Sequence, residues 1–328
     1  MAQARKRVLM TERIHPAGHA LLEARNDIDV VIAEDTGAET LARLARGVHG
    51  IAVRTARLPA EVLAAANELE VVSRHGVGCD NVDVAHLTGR GIPICIAAGA
   101  NAICVAEHVF AMMLSLARDM PAQDACVRQG RWAERNSFRA RDLYKSKLLI
   151  VGYGRVGRQV APRAKAFGME VVAGDIAPDA ATAAAQGVRI ADDWRTELAD
   201  ADFVSLHVPL DDGTRNLIGP GELATMKKGA ILINCARGGV VDETALARAL
   251  DDGHLHGAGV DVFSDEPPAA DHPLVSHPRT ILAPHNGAAS HLSSEAASRM
   301  TAQNILDFFD GRLKDEMVFN LAGLRAGR

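Results

Sequence analysis

Lys147-Leu148-Leu149-Ile150-Val151-Gly152-Tyr153-Gly154-Arg155-Val156-Gly157 decides how this chain is read. An apolar, strand-like run enters three glycines spaced GxGxxG, and a helix-like segment, Gly157–Ala166, follows. In such a unit Gly152 permits the tight turn after the strand. Gly154 lets the backbone approach a pyrophosphate, and Gly157 lets the helix pack closely on the strand. The helix N-terminus directs unpaired N–H groups and the positive end of its dipole at the phosphates. A second strand, Met169–Gly174, ends at Asp175, where a carboxylate is expected to hold the ribose hydroxyls of a dinucleotide. That charge would repel a ribose 2′-phosphate by roughly 4 kcal/mol at about 4 Å. Ile176, Ala177 and Pro178 follow, none of them an arginine that would welcome the phosphate. The pattern favours NAD over NADP.

The same alternation extends on both sides. Upstream, strand-like runs at Arg7–Met10, Val30–Ala33, Gly50–Val53, Val71–Ser73 and Pro93–Ile96 are separated by helical segments at Ala17–Arg25, Glu39–Ala45 and Ala60–Ala66. Ala102–Ala117 has the pattern of a buried or interface helix. Arg118–Arg141 is polar and predicts a loop with short helical pieces. Downstream strands are expected at Phe203–His207, Ala230–Asn234, Gly257–Val262 and Thr280–Ala283, then a long helix over Ser290–Gly311. Alternating strands and helices predict parallel sheets with crossover helices, and 328 residues suit two domains. The expected fold class is α/β, with two doubly wound parallel-sheet domains. One comprises residues 1–100 plus 290–328; the other is residues 101–289, inserted into the first.

Composition removes several function classes. Lys and Arg number 36 against 41 Asp and Glu, a net charge of −5. That lacks the concentrated positive stripe of a nucleic-acid binder. The five cysteines, Cys79, Cys95, Cys104, Cys126 and Cys235, form no CxxC pair and no disulfide framework, so a reduced, cytoplasmic setting is expected. The N-terminus has too short an apolar run for a signal peptide. The apolar stretch Ile94–Ala117, broken by Gly99, Asn101, Glu107 and His108, is too short to cross a membrane.

Three later strands each end in residues suited to chemistry. Ile231–Asn234 leads to Arg237 in Asn-Cys-Ala-Arg-Gly-Gly; Gly257–Val262 leads to Asp261 and Glu266; Thr280–Ala283 leads to His285 in Pro-His-Asn-Gly-Ala. Ligands of open α/β sheets bind at such tips. Arginine holds a carboxylate with a planar fork. Histidine exchanges protons near neutrality, and a neighbouring glutamate would orient it and stabilise the imidazolium. With a nicotinamide nearby, the implied reaction is hydride transfer to a carbonyl beside a carboxylate, with Arg237, Glu266 and His285 as catalytic residues.

These motifs resemble the D-isomer-specific 2-hydroxyacid dehydrogenase family, closest to its D-3-phosphoglycerate dehydrogenase branch. The resemblance rests on HGVGCDNVD at 75–83, NAICVAEH at 101–108, GYGRVG with Asp175, HVPL at 207–210, INCARGG at 233–239, DVFSDEP at 261–267 and PHNGA at 284–288. It implies two domains with the active site in the cleft. Arg237 would bind the substrate carboxylate and keto oxygen, His285 would act as acid and base, and Glu266 would pair with it. Asp261 would hold the nicotinamide side, while Arg155 and Val156 meet the pyrophosphate. Val208 would line the adenosine pocket, and Cys235 and Ala236 would lie near the nicotinamide ribose. The implied coenzyme contacts also include His207, Pro209, Thr214, Gly287 and Ala288, with Arg237 and His285 shared. Gly76, Val77 and Gly78 would offer amides to the substrate carboxylate. The helix after Asn101 implies a homodimer.

By the same resemblance, Arg54, Arg74 and Arg135 would face a second anionic group, which favours D-3-phosphoglycerate or a similar doubly anionic acid. A hydroxypyruvate or glyoxylate reductase is the alternative, since Arg54 and Arg74 recur in such members. A non-enzymatic NAD-binding co-repressor-like scaffold is the reading from another class. The chain ends at Arg328, so the regulatory domain of some family members is not expected. Val77 stands where a threonine could add a hydrogen bond to the anion. His254, His256, His272 and His277 lack partners at zinc-site spacing, are expected to be surface loop residues, and no metal is expected.

Overall fold

A computed structural model describes residues 5–327. By internal contacts the chain divides into two compact units, residues 1–101 with 289–328, and residues 102–288.

The first unit opens β1 (Lys6–Met10), α1 (Pro16–Glu23), β2 (Ile28–Ile32), α2 (Ala38–Leu44), β3 (Gly50–Val53), α3 (Ala60–Ala65), β4 (Val71–Arg74), α4 (Val84–Gly89) and β5 (Ile94–Ile96). Its five strands are parallel, in the order β2-β1-β3-β4-β5. All four residues of the inner strand β3 are buried, whereas β2 at the edge is largely half-exposed. Inner strands covered on both faces are apolar throughout because each side chain meets a helix layer.

The second unit contains α5 (Ala102–Arg118), α6 (Met120–Arg128), β6 (Lys147–Val151), α7 (Gly157–Ala166), β7 (Glu170–Gly174), α8 (Ala180–Ala185), β8 (Arg189–Ile190), β9 (Phe203–Leu206), α9 (Pro220–Thr225), β10 (Ile231–Asn234), α10 (Glu243–Asp251), β11 (Gly257–Val260) and β12 (Thr280–Leu282). Its sheet order is β12-β11-β10-β9-β6-β7-β8, all parallel. This is the dinucleotide-fold order extended by one strand, with the reversal between β6 and β9. The chain then returns to the first unit through α11 (His291–Phe309), which packs on α1 and over β3, β4 and β5, and ends in α12 (Leu321–Ala326).

Helix starts follow local chemistry. Asp83, Asp179, Asp242 and Ser290 each accept a hydrogen bond from an amide in the first turn of α4, α8, α10 and α11, which satisfies one otherwise unpaired donor. α5 buries Val109, Phe110, Met112, Met113 and Leu116 against its own unit, so most of its apolar character is core. The segment expected as a loop with short helical pieces over residues 118–141 contains a nine-residue helix, α6, and a 3₁₀ turn at Trp132–Asn136. Pattern reading also left out α4, α8, α9, α10, α12 and β8. Most are six residues or fewer, too short to show a period of their own. Among the described residues no helix is long and apolar enough to cross a membrane.

Candidate active site

The second unit carries its reactive side chains on the carboxyl edge of its sheet. At the β6/β9 reversal, Gly152 adopts φ +95°, and a Cβ there would stand 2.6 Å from the His207 carbonyl oxygen and 3.0 Å from Val208 Cγ1. A Cβ on Gly157 would overlap the Gly152 carbonyl, so this glycine serves the close approach of α7 to the loop. Among the described residues, a Cβ on Gly154 would meet no atom within 4 Å. The start of α7 has no side-chain cap, and its Arg158 and Gln159 amides donate to the Gly154 and Val156 carbonyls at 3.0 and 2.8 Å. Asp175 ties this loop to β7: its carboxylate accepts from the Tyr153 amide at 2.7 Å and the Ala177 amide at 2.9 Å. Arg155 is exposed beside the glycines, and Val156 packs on the core.

Across the reversal lies His207–Pro209. The Thr214 hydroxyl donates to the Pro209 carbonyl at 2.7 Å and accepts from the Asp211 amide at 2.8 Å, closing this loop. His207 Nε2 lies 2.9 Å from Ser205 Oγ, and burial pushes the imidazole down to about 3. In the unfolded chain a histidine titrates near 6.5. Between those values the unfolded state holds the extra proton, so this share of stability is present above about 6.5 and is lost as pH falls toward 3. His207→Asn is expected to make the slope of unfolding free energy against pH shallower over this range, read by urea titrations at pH 7 and pH 5. An unchanged slope would contradict the neutral imidazole.

The tips of β10, β11 and β12 lie side by side. Asn234 shapes the first: its side-chain oxygen accepts from the Ala236 amide at 3.1 Å, and its nitrogen donates to the Arg237 carbonyl at 3.0 Å. Arg237 is half-buried, and its Nη1 donates to the Ala236 carbonyl at 2.7 Å. A Cβ on Gly238 would overlap the Phe263 carbonyl, so the Arg237 tip rests directly on the strand end leading to Glu266. Glu266 Oε1 accepts from the Phe263 amide at 3.1 Å, and Oε2 lies 2.7 Å from His285 Nδ1. A hollow of about 480 Å³, lined by Phe263, Pro267, Pro268, Val275 and Leu282, borders this pair.

His285 has φ +51°, a left-handed conformation that costs an ordinary residue roughly 1–2 kcal/mol. Buried Asp261 holds it there. The Asp261 carbonyl accepts from the His285 amide at 2.7 Å, and its carboxylate accepts from the amides of Asn286 at 2.9 Å and Gly287 at 3.0 Å. A Cβ on Gly287 would stand 2.8 Å from Asp261 Oδ2. Ala288 is exposed just beyond. Burial, and the Asp261 carboxylate beside it, push the Cys235 thiol up.

In the first unit, Arg54 and Arg74 leave the carboxyl ends of adjacent strands β3 and β4. Arg54 is exposed. The Arg74 guanidinium folds back over Gly76, whose φ of +151° and missing Cβ make room for it, and donates to the His75 carbonyl. Gly76, Val77 and Gly78 are half-exposed in the loop that follows. His75 Nε2 lies 2.8 Å from Ser298 Oγ on α11. Burial, with the charges of Arg54 and Arg74 adding to it, holds the His75 imidazole below its usual range. Arg135 belongs to the other unit, exposed on the 3₁₀ turn, with its guanidinium 6.0 Å from the Trp132 ring.

Two anchoring residues escaped sequence reading. Glu12, beyond β1, accepts from the amides of Thr55 at 2.7 Å and Ala56 at 3.0 Å and from the Thr55 hydroxyl, so it holds the loop that presents Arg54. Burial pushes the Glu12 carboxyl up, but these hydrogen bonds outweigh it and hold it below the usual range. Asn234 is the second. A strand-end amide and an acid 43 positions before its partner carry no local signal. The four histidines expected on surface loops do lie in loops, half-buried, and three of them are paired. His254 lies against the Met226 carbonyl, His272 against Glu243 and His277 against Asp251, at 2.9, 2.9 and 3.3 Å.

Comparison with known proteins decides the family. A model described as "D-isomer specific 2-hydroxyacid dehydrogenase, NAD binding domain" matches residues 110–287. The chain belongs to the D-isomer-specific 2-hydroxyacid dehydrogenases. This member of the family is 37% identical over 313 residues to a D-3-phosphoglycerate dehydrogenase of Methanocaldococcus jannaschii, an alignment covering 95% of this chain and 59% of that protein. It spans about half to three-fifths of the length of the curated relatives it matches. Among solved structures, Aquifex aeolicus D-lactate dehydrogenase, complexed with NAD and lactic acid, superposes with a TM-score of 0.83 at 28% identity, covering 93% of this chain and 96% of that one. An NADPH-dependent glyoxylate/hydroxypyruvate reductase of Sinorhizobium meliloti gives 0.82 at 30% identity, covering 93% and 95%.

Proposed function

We propose that this protein is an NAD-dependent oxidoreductase that interconverts a D-2-hydroxy acid and its 2-keto acid. The observation that carries this reading is the His285–Glu266 pair at 2.7 Å, held by the Asp261-anchored loop on the same sheet edge as the uncapped glycine loop. Among the described residues nothing fills the space beside Gly154, and the start of α7 carries no side-chain cap, so the residues present fit a dinucleotide pyrophosphate. Gly152, Gly154, Arg155, Val156 and Gly157 would hold that group, with Asp175 at the ribose. His207–Pro209 and Thr214 would lie on the adenosine side, and Cys235, Ala236, Asp261, Gly287 and Ala288 on the nicotinamide side. When bound, the coenzyme supplies or accepts a hydride.

The chain's own groups do the rest. Glu266 holds Nδ1, so the ring keeps one tautomer and presents Nε2 to the substrate oxygen. During reduction Nε2 gives its proton to the oxygen as the carbonyl carbon receives hydride; in oxidation it takes the proton back. Arg237 grips the carboxylate and polarises the adjacent carbonyl. Arg54, Arg74 and the Gly76–Gly78 amides are assigned to the acid's anionic groups, and Arg135 to a distal one.

D-3-phosphoglycerate, or a similar doubly anionic acid, is the substrate this reading favours, supported by two arginines at adjacent strand ends and by the D-3-phosphoglycerate dehydrogenase relative from Methanocaldococcus jannaschii. A hydroxypyruvate or glyoxylate reductase is the second reading, favoured by the Arg74 guanidinium turning back on its own loop. Asp175 supports NAD over NADP. Exposed Ile103, Met120, Val127 and Trp132 on and after α5 support a homodimer. Five free cysteines suit the cytoplasm.

The deciding experiment is NADH and NADPH oxidation with phosphohydroxypyruvate, sulfopyruvate, 2-oxoglutarate, hydroxypyruvate, glyoxylate and pyruvate, ranked by kcat/KM. A preference of about a hundredfold for doubly anionic acids, roughly 3 kcal/mol, supports the first reading. A preference for hydroxypyruvate or glyoxylate supports the second. Tight NAD binding with no turnover on any acid returns the protein to a scaffold role. The glycine loop gives an independent check. Gly154→Ala is expected to leave Tm unchanged and raise KM for NADH, whereas Gly157→Ala, which overlaps the Gly152 carbonyl, is expected to lower Tm. Equal effects on both quantities would contradict the assignment.

A further inference from the structure

Three potential metal-ligand side chains from separate elements converge in the second unit. His108 lies on α5, Cys235 directly follows β10 and Asp261 directly follows β11. One donor atom from each lies within 4.8 Å of the others. Among the described residues His108 Nε2 is buried and makes no hydrogen bond, yet it stands 3.5 Å from Asp261 Oδ1. That separation is long for a hydrogen bond. It matches two ligands sharing a tetrahedral zinc, which at bond lengths of about 2.0–2.2 Å lie roughly 3.3–3.6 Å apart. Asp261 is already fixed by the Asn286 and Gly287 amides, so a ligand oxygen is held in place before any ion arrives. Met112, one turn beyond His108 on α5, places its Sδ 3.8 Å from Cys235 Sγ and adds a soft, polarizable neighbour. Imidazole, thiolate and carboxylate together select a zinc-type ion over magnesium or calcium.

We propose that His108, Cys235 and Asp261 form a binding site for a thiophilic divalent cation of the zinc class, and that its occupancy excludes the coenzyme. On binding, the ion forms a bond to Cys235 sulfur and the thiol proton leaves to solvent, so charge and atoms balance without any redox change. The exclusion half rests on the coenzyme assignment above, since Cys235 and Asp261 belong to both sites. The cation half does not. A second cluster, His15, His291 and Glu295 in the first unit, offers no thiol. Its His15 Nδ1 accepts from the Ala17 amide at 3.3 Å, and Glu295 holds Arg299 at 2.9 Å.

The test is a cobalt(II) titration of the full chain, freed of metal and coenzyme, followed by visible and near-ultraviolet absorption. A tetrahedral cobalt–thiolate spectrum at one equivalent is expected, displaced by zinc. Cys235→Ser should abolish its thiolate band, and His108→Gln should weaken cobalt binding at least tenfold, while His291→Gln leaves the spectrum unchanged. Circular dichroism and Tm verify that each variant is folded. Absence of a thiolate band in the native chain, or a band that survives in Cys235→Ser, overturns the site. Saturating NAD should suppress the spectrum. If the site forms and NAD binds but leaves it intact, the exclusion is overturned and the cation site stands; if NAD does not bind at all, the coenzyme assignment fails separately.

Discussion

Replacing His285 by glutamine is expected to lower kcat for 2-keto acid reduction by about 10² to 10⁴-fold, the usual contribution of a positioned proton donor. KM for NADH should move little. The amide keeps a polar group of similar reach but cannot pass a proton to the substrate oxygen. Glu266→Gln should cost less, because the ring can still transfer a proton once its orienting carboxylate is gone. The reaction consumes a proton in the reductive direction, so kcat/KM should fall with rising pH for reduction and rise for oxidation, and both limbs should flatten in His285→Gln. Steady-state rates in both directions across pH 6–10 test this. A full-activity His285→Gln enzyme, or a flat native profile in both directions, would sink His285 as the proton carrier.

Arg237→Ala should nearly abolish turnover. The guanidinium is assigned to the carboxylate and the polarised carbonyl together, so its loss removes transition-state stabilisation as well as binding. Its setting makes the substitution interpretable: beyond the side chain's own bond to the Ala236 carbonyl, Asn234 and the Gly238–Phe263 approach hold the surrounding backbone. Arg54→Ala should mainly raise KM, and more for a doubly anionic acid than for glyoxylate. Glu12 holds the Arg54 loop by accepting from the Thr55 and Ala56 amides, so the backbone should survive the Arg54 change. Equal losses of kcat in both variants would contradict the division of labour.

Much of this architecture is visible in chain order. Strand-like runs ending in Gly152, Arg237, Asp261 and His285 announce parallel strands with chemistry at their carboxyl ends. A buried inner strand is apolar at every position, and a glycine-rich turn is written in consecutive residues. The expected ends of β6, β9 and β10 fall within one residue of the observed ones. Short pieces such as β8 and α9 were missed, because two to six residues carry no period against which to test a pattern.

Local sequence settled the α/β class, the glycine loop and the candidacy of Arg237, Glu266 and His285, since each depends on neighbours a few positions away. The folded chain decided the rest. It bonds Glu266 to His285 from 19 positions away, holds His285 at φ +51° through Asp261, turns Arg74 back over Gly76, and sets Glu12 against Thr55. It also brings His108 to Asp261 across more than 150 residues of chain. Side-chain direction and backbone conformation at such sites come from packing and sheet register, and residues joined only by register leave no mark on one another in the linear order.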